Sequence, residues 1–216
     1  MSIIRHKHFF LSYSEEHEQA EWAAYYLTAQ SQTQRHCYDR PYFKQDPLVD
    51  TESAHWRNYK DTGYDKGHLV PAADMRFSEE AYNETFFTSN VSPQNKAFNA
   101  GVWNRLEQKV RYWADKYSAL FVVTGGILED DLITIGEEEV SVPEYFFKIV
   151  VRVQNDNLVM IPFLVPNAES DAPLYTFATT IDTIEQITGI DFNQKLVERI
   201  EEKIKKELSY KEWSFS

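Results

Sequence analysis

One cysteine, seven glycines and eight prolines are all that this 216-residue chain holds of those types, and each scarcity removes a class of protein. Cys37 alone supports neither an internal disulfide framework nor a thiolate metal cluster. It fixes no compartment, because exported bacterial proteins often lack disulfides too. Few glycines and prolines against 13 Tyr and 14 Phe rule against disorder and low complexity. No apolar run reaches membrane-spanning length, so no membrane partner is expected. The first residues, with His6, Lys7 and His8, lack the apolar stretch of a signal peptide. Export to the periplasm or medium, with a signal outside this chain, is the expectation carried forward over a cytoplasmic location. The chain also contains no Gly-x-Ser-x-Gly elbow and no phosphate-cradling Gly-rich loop, which sets aside serine hydrolases and nucleotide-binding enzymes.

With no repeat, linker or low-complexity block to divide it, the chain reads as a single domain over 1–216, its core at about 9–192. Residues 119–124 read as a buried strand that turns at Gly125-Gly126. The runs 145–153 and 158–165 read as a hairpin around Asn155-Asp156-Asn157. Periodicity leaves 22–28 open between helix and strand. Trp103, Leu106, Val110 and Trp113 place a helix over 101–117, and Leu196, Ile200, Ile204 and Leu208 form a narrow apolar stripe for another over 191–208. Glu137-Glu138-Glu139 reads as a solvated loop.

A net charge of −12 is the wrong sign for gripping phosphates, but it is unevenly spread. Residues 35–116 hold 12 Lys plus Arg against 12 Asp plus Glu, so the acidic excess lies wholly outside them. That pattern suits an enzyme that touches nucleic acid locally and turns over.

The neutral stretch also carries the chemistry. His68 follows Gly67, and a histidine can take a proton near neutral pH because its ordinary pKa is about 6.5. Asn99 stands where the helix begins, and a carboxamide oxygen is a competent ligand for a hard cation such as Mg²⁺ that keeps most of its waters. Glu107 could hold one of those waters. Each residue also has a plainer reading: His68 as a structural histidine, Asn99 as a helix cap, Glu107 with Arg111 as an exposed i,i+4 ion pair.

The order Asp-Lys-Gly-His-Leu at 65–69, Asn-Val-Ser-Pro-Gln at 90–94 and Asn-x-Gly-x-Trp-x-x-Leu-Glu at 99–107 resembles the DNA/RNA non-specific endonuclease family of ββα-metal nucleases, to which endonuclease G belongs. Arg40-Pro41, Lys44, Asp46-Pro47, Val142 through Lys148 and Val165 through Ala168 extend the similarity over about 9–192. The resemblance implies an α+β fold, a ββα-metal finger on a central antiparallel sheet flanked by helices. It implies that His68 is the general base, that Asn99 is the direct Mg²⁺ ligand, with Mn²⁺ able to substitute, and that Glu107 orients metal-held water. Arg40 and Arg111 would lie near the scissile phosphate, and Asn90 would support the metal site through hydrogen bonds. DNA and RNA would be the substrates, cut to 5′-phosphate and 3′-hydroxyl ends. A homodimer is among the assemblies expected, and no inhibitor protein is specified. Lys66 stands where the family usually has Arg; it keeps the charge without a bidentate clamp. The competing reading is a catalytically weak member that binds nucleic acid or another protein.

Overall fold

The computed structural model describes residues 2–155, 157–192 and 212–215. From residue 193 onward, the helix expected over 191–208 lies outside them. Strands β1 (Ser2–Arg5), β2 (Phe9–Ser14) and β3 (Gln19–Thr28) run as an antiparallel meander into a short helix α1 (Ala29–Thr33). The open stretch at 22–28 is thus strand, decided by pairing with neighbours on both sides. A separate hairpin follows, β4 (Tyr64–His68) and β5 (Val91–Asn95), with α2 (Glu79–Glu84) between its strands. After it come α3 (Lys96–Phe98), a π-helical turn (Asn99–Trp103) and the long α4 (Asn104–Tyr117). The chain returns through β6 (Ala119–Gly126), the short pair β7 (Thr134–Ile135) and β8 (Val140–Ser141), then β9 (Tyr145–Gln154) and β10 (Asn157–Pro166). It then enters α5 (Ile181–Thr188).

The central sheet has six strands in the order β1-β2-β3-β6-β9-β10, every neighbour antiparallel. Its middle strands are apolar on both faces because both are covered. On one side Phe146 and Val150 of β9 join Leu106, Val110 and Trp113 of α4; on the other Phe147, Ile149 and Val151 join Ile181 and Ile184 of α5. The α4 side of β9 also carries two cations. Lys148 lies 4.7 Å from the Trp103 ring, and Arg152 lies 4.4 Å from Tyr117 and 5.1 Å from Trp213.

Three local expectations change. Gly125-Gly126 is the end of β6 rather than a turn. A Cβ at Gly125 would meet the Glu21 carbonyl oxygen at 2.1 Å, so close packing and not chain reversal calls for glycine there. The helix over 101–117 starts at Asn104, because Gly101, at φ −98° and ψ −107°, breaks the spiral. Nor is the acidic run at 137–139 simply solvated. Glu138 accepts hydrogen bonds from the His55 backbone N–H and the Asn58 side chain, fastening the 3₁₀ turn Trp56–Tyr59.

Candidate active site

Side chains alternate along a strand, so Lys66 and His68 share one face of β4 while Asp65 and Gly67 share the other. The β4–β5 register sets Asp65 opposite Gln94 and His68 opposite Val91. Gly67 has its own reason: a Cβ would sit 2.1 Å from the Gln94 side chain. The face bearing His68 is closed by a loop that sequence alone does not connect to it. A backbone bridge between Lys44 and Phe87 pins that loop, and the Phe43 ring thereby lies 5.4 Å from His68. Phe86 meets the imidazole edge-on at 5.0 Å. Arg40 lies 5.7 Å from the Phe43 ring and 5.6 Å from Phe86; Lys66 lies 5.5 Å from the same Phe43. One phenylalanine therefore gathers a histidine and two cations.

His68 Nε2 is buried and without a hydrogen-bond partner. Burial, assisted by the Arg40 charge, brings the imidazole pKa down to about 4. The ring is neutral at physiological pH, with a nitrogen available as acceptor. Burial also lowers the Lys66 ammonium, Arg40 adding to this and Asp65 opposing it. Among the described residues Lys66 makes no ion pair with Asp65 or Asp61, and its head lies against Phe43 and Tyr59.

Asn90 supports this strand from behind. Its backbone oxygen accepts from Leu69 N–H, its Oδ1 accepts from Val70 N–H, and its Nδ2 donates to the Val70 and Thr85 carbonyls. The fully buried carboxamide is thus spent on the backbone just after His68. The hydrogen bonds expected of Asn90 thus run to the backbone, as a clamp on the histidine's own chain.

The cap of the first helical turn is Asn95, whose Oδ1 accepts from Ala97 and Phe98 N–H. Asn99 is therefore free of the capping role. Its Nδ2 donates to Asp65 Oδ2 at 3.1 Å, which leaves Oδ1 as the carboxamide's acceptor. Because of the break at Gly101, Asn99 does not continue the regular helical face of Glu107 and Arg111.

Those two residues belong to a second cluster, packed against the sheet. Arg111 Nη1 donates to Asp74 Oδ1 at 2.9 Å, and Tyr25 Oη donates to Asp74 Oδ2 at 2.8 Å. A carboxylate only 1 % exposed needs such partners. Arg111, expected at the phosphate, is thus engaged by Asp74, and the i,i+4 pair with Glu107 is replaced by this longer-range one. Burial drives the Glu107 carboxyl upward and Asp74 adds to it, against the pull of Lys148 and Arg111. Lys148, 1 % exposed and with no hydrogen-bond partner at Nζ among the described residues, exerts the strongest of those opposing pulls. Sequence reading assigned no role to Asp65, Asp74 or Lys148. The one available signal was Lys148, a charge inside an otherwise apolar run.

The sequence profile of the DNA/RNA non-specific endonucleases matches residues 1–199. The chain belongs to the DNA/RNA non-specific endonuclease family. It is 33% identical over 202 residues to the mitochondrial nuclease EXOG of Danio rerio, covering 84% of this chain and 58% of that protein. It is 31% identical over 210 residues to nuclease C1 of Cunninghamella echinulata var. echinulata, covering 90% and 83%. The crystal structure of an EndoG/EndoGI complex, which concerns EndoG inhibition, superposes with a TM-score of 0.82 at 31% identity, covering 91% of this chain and 87% of that one. The central antiparallel sheet and the β4–β5–α4 unit are the family's α+β architecture. The chain spans 58% of the Danio rerio protein and 64% of a mitochondrial nuclease of Saccharomyces cerevisiae.

The comparisons correct one expectation. Relatives from Danio rerio, Saccharomyces cerevisiae, Schizosaccharomyces pombe and Homo sapiens are named as mitochondrial nucleases, so the family members this chain matches do not support export.

Two predictions follow from the geometry of this endonuclease-family site. With His68 neutral down to about pH 4, kcat/KM for a nucleic-acid substrate holds as pH falls through 6.5 and is lost as it falls through about 4. A pH–rate profile whose acid limb centres at 6.5 or above contradicts that burial. Lys66→Ala removes one cation from the pair over Phe43, so log KM depends less steeply on log salt, by roughly one counterion per lost phosphate contact. Lys66→Arg keeps the parent slope. Equal slopes for Lys66→Ala and the parent mean that Lys66 does not touch phosphate.

Proposed function

We propose that this chain is a Mg²⁺-dependent endonuclease that hydrolyses DNA and RNA without regard to sugar, leaving 5′-phosphate and 3′-hydroxyl ends. The observation that carries the reading is His68: a neutral imidazole whose buried Nε2 has no hydrogen-bond partner among the described residues, in the cluster that also holds Arg40 and Lys66. A base, two cations and a hard oxygen ligand on the adjoining turn are what phosphodiester hydrolysis requires.

The donor set suits a hydrated ion. Among the described residues no three His, Cys, Asp or Glu side chains converge into a metal cage. Asn99 instead offers one neutral oxygen, oriented by Asp65, in keeping with a Mg²⁺ that retains most of its waters. Asn99 would hold it directly and Glu107 through a water. When bound, the ion would supply charge neutralisation at the phosphate and at the departing oxygen.

The chain's own residues do the rest. His68 Nε2 accepts the proton of the attacking water as its oxygen bonds to phosphorus and the bond to the 3′ oxygen breaks. Arg40 and Lys66 neutralise the charge that gathers on the phosphate oxygens. Asn90, holding Leu69 and Val70, keeps the imidazole in register. The ring contacts with Phe43 and Phe86 desolvate the imidazole, so it stands neutral and ready to accept that proton. No base-reading group is needed, because backbone phosphate is the handle.

Plasmid DNA and total RNA incubated with the protein and Mg²⁺ should both be degraded, and EDTA should stop both reactions. His68→Ala should lower turnover by about 100-fold to 10,000-fold while leaving the fold intact. Substrate binding without cleavage by the parent would favour the weak binding protein instead, and a His68→Ala variant within a factor of two of the parent would remove the base assignment.

A further inference from the structure

Beside the His68 face lies an open cleft of about 540 Å³, lined by Arg40, Pro41, Tyr42, Phe43, Trp56 and Lys66. No carboxylate is among its walls. Three of the six residues are aromatic, and two of these are unusually bare: Tyr42 is 95 % exposed and Trp56 is 36 % exposed. Exposed aromatic rings that no core requires are a cost unless a ligand covers them.

The Tyr42 backbone is anchored, and the Trp56 ring is braced. Tyr42 follows Pro41 and precedes the pinned residues Phe43 and Lys44. Trp56 is braced by the His55 ring at 5.3 Å and by Arg57 at 5.4 Å. Its turn is fastened in three ways: Glu138 Oε2 accepts from His55 N–H at 2.6 Å, Asn58 Nδ2 donates to the His55 carbonyl at 2.7 Å, and Glu138 N–H donates to Asn58 Oδ1 at 3.1 Å. Gly136, at φ +74°, lets this loop press against Asn58, where a Cβ would stand 2.2 Å from Oδ1. The buried Asn58 and the Glu138 contacts thus serve a turn that presents a partly exposed indole to the cleft.

We propose that this cleft is a nucleobase subsite, in which one unpaired base of the strand being cut stacks on Trp56 and Tyr42 while its phosphate rests on Arg40 and Lys66. The proposal rests on the nucleic-acid reading above and names the form of substrate: single-stranded or locally opened nucleic acid. Every base presents a flat π-face, so such a platform adds affinity without sequence preference. A paired base keeps its neighbours in the duplex and must first be unstacked to enter. Flat rings and cations in one cleft match the two chemistries of a nucleotide, base and phosphate.

The test uses a fluorescent single-stranded oligodeoxynucleotide, the same strand with one base-free tetrahydrofuran unit walked past the scissile phosphate, and the corresponding duplex. Cleavage kinetics in Mg²⁺ and binding by anisotropy in EDTA are both recorded. For the parent, one position of the base-free unit should raise KM and the dissociation constant Kd by about tenfold to a hundredfold. Trp56→Ala and Tyr42→Ala should raise both for the intact strand, lose the sensitivity to the base-free unit and narrow the advantage over duplex. Trp56→Phe should recover most of the loss, and Tyr42→Ala, at a fully exposed position, cannot be charged to misfolding. A parent that binds and cleaves every base-free strand like the intact one overturns the subsite while leaving the nuclease reading standing. Base-sensitive binding without any cleavage supports the subsite and counts against the nuclease reading.

Discussion

The hydrogen bond from Asn99 to Asp65 joins the two parts on which the rest of the site depends. Asp65 lies on the hairpin strand that ends in His68, and Asn99 lies on the turn leading into α4. The proposed base on the hairpin and the proposed ligand on the helix entrance are held in a fixed relation by this tie of hairpin to helix. The carboxylate takes the donor end of the carboxamide, and the acceptor end is what remains for a cation. Asn95 makes this arrangement available by capping the turn itself. Gly101 completes it, because an unbroken helix would have carried Asn99 onto the packed face of α4.

The electrostatics are set by rings more than by counter-charges. Phe43 and Phe86 desolvate His68 and bring two cations beside it, so the imidazole stays neutral where an exposed one would be partly charged. Deeper in, Asp74, Arg111 and Tyr25 satisfy one another, while Lys148, against the Trp103 ring, offsets the burial of Glu107. The net charge of −12 is no obstacle on this account. The cations that matter are gathered on one aromatic cluster, and the acidic excess lies in other parts of the chain.

What could be read from sequence is what short-range patterns encode. The hairpin at 145–166 announced itself through two apolar runs around Asn155, which takes φ 51° in the turn. The buried stripe of α4 followed from the spacing of Trp103, Leu106, Val110 and Trp113. The motif residues Asp65, Lys66, His68 and Asn99 were visible, and the structure places them on the hairpin and the adjoining turn. Their environment was not visible, because it is made by residues distant in sequence. Phe43 reaches His68 only through a bridge between Lys44 and Phe87, and Arg111 finds Asp74 rather than Glu107. The glycine pair at 125–126 misled for the same reason: its demand comes from Glu21, Phe147 and Pro143 across the sheet, not from a turn.

The most direct test of the account is a calorimetric titration of Mg²⁺ into the parent, Asn99→Ala and Asp65→Ala, with thermal unfolding of each in EDTA. The account predicts that Asn99→Ala loses measurable Mg²⁺ binding and that Asp65→Ala binds about tenfold or more weakly through loss of the orienting bond. Both should unfold near the parent's temperature, because Asn95 still caps the turn. Mg²⁺ binding in Asn99→Ala as tight as in the parent would contradict it.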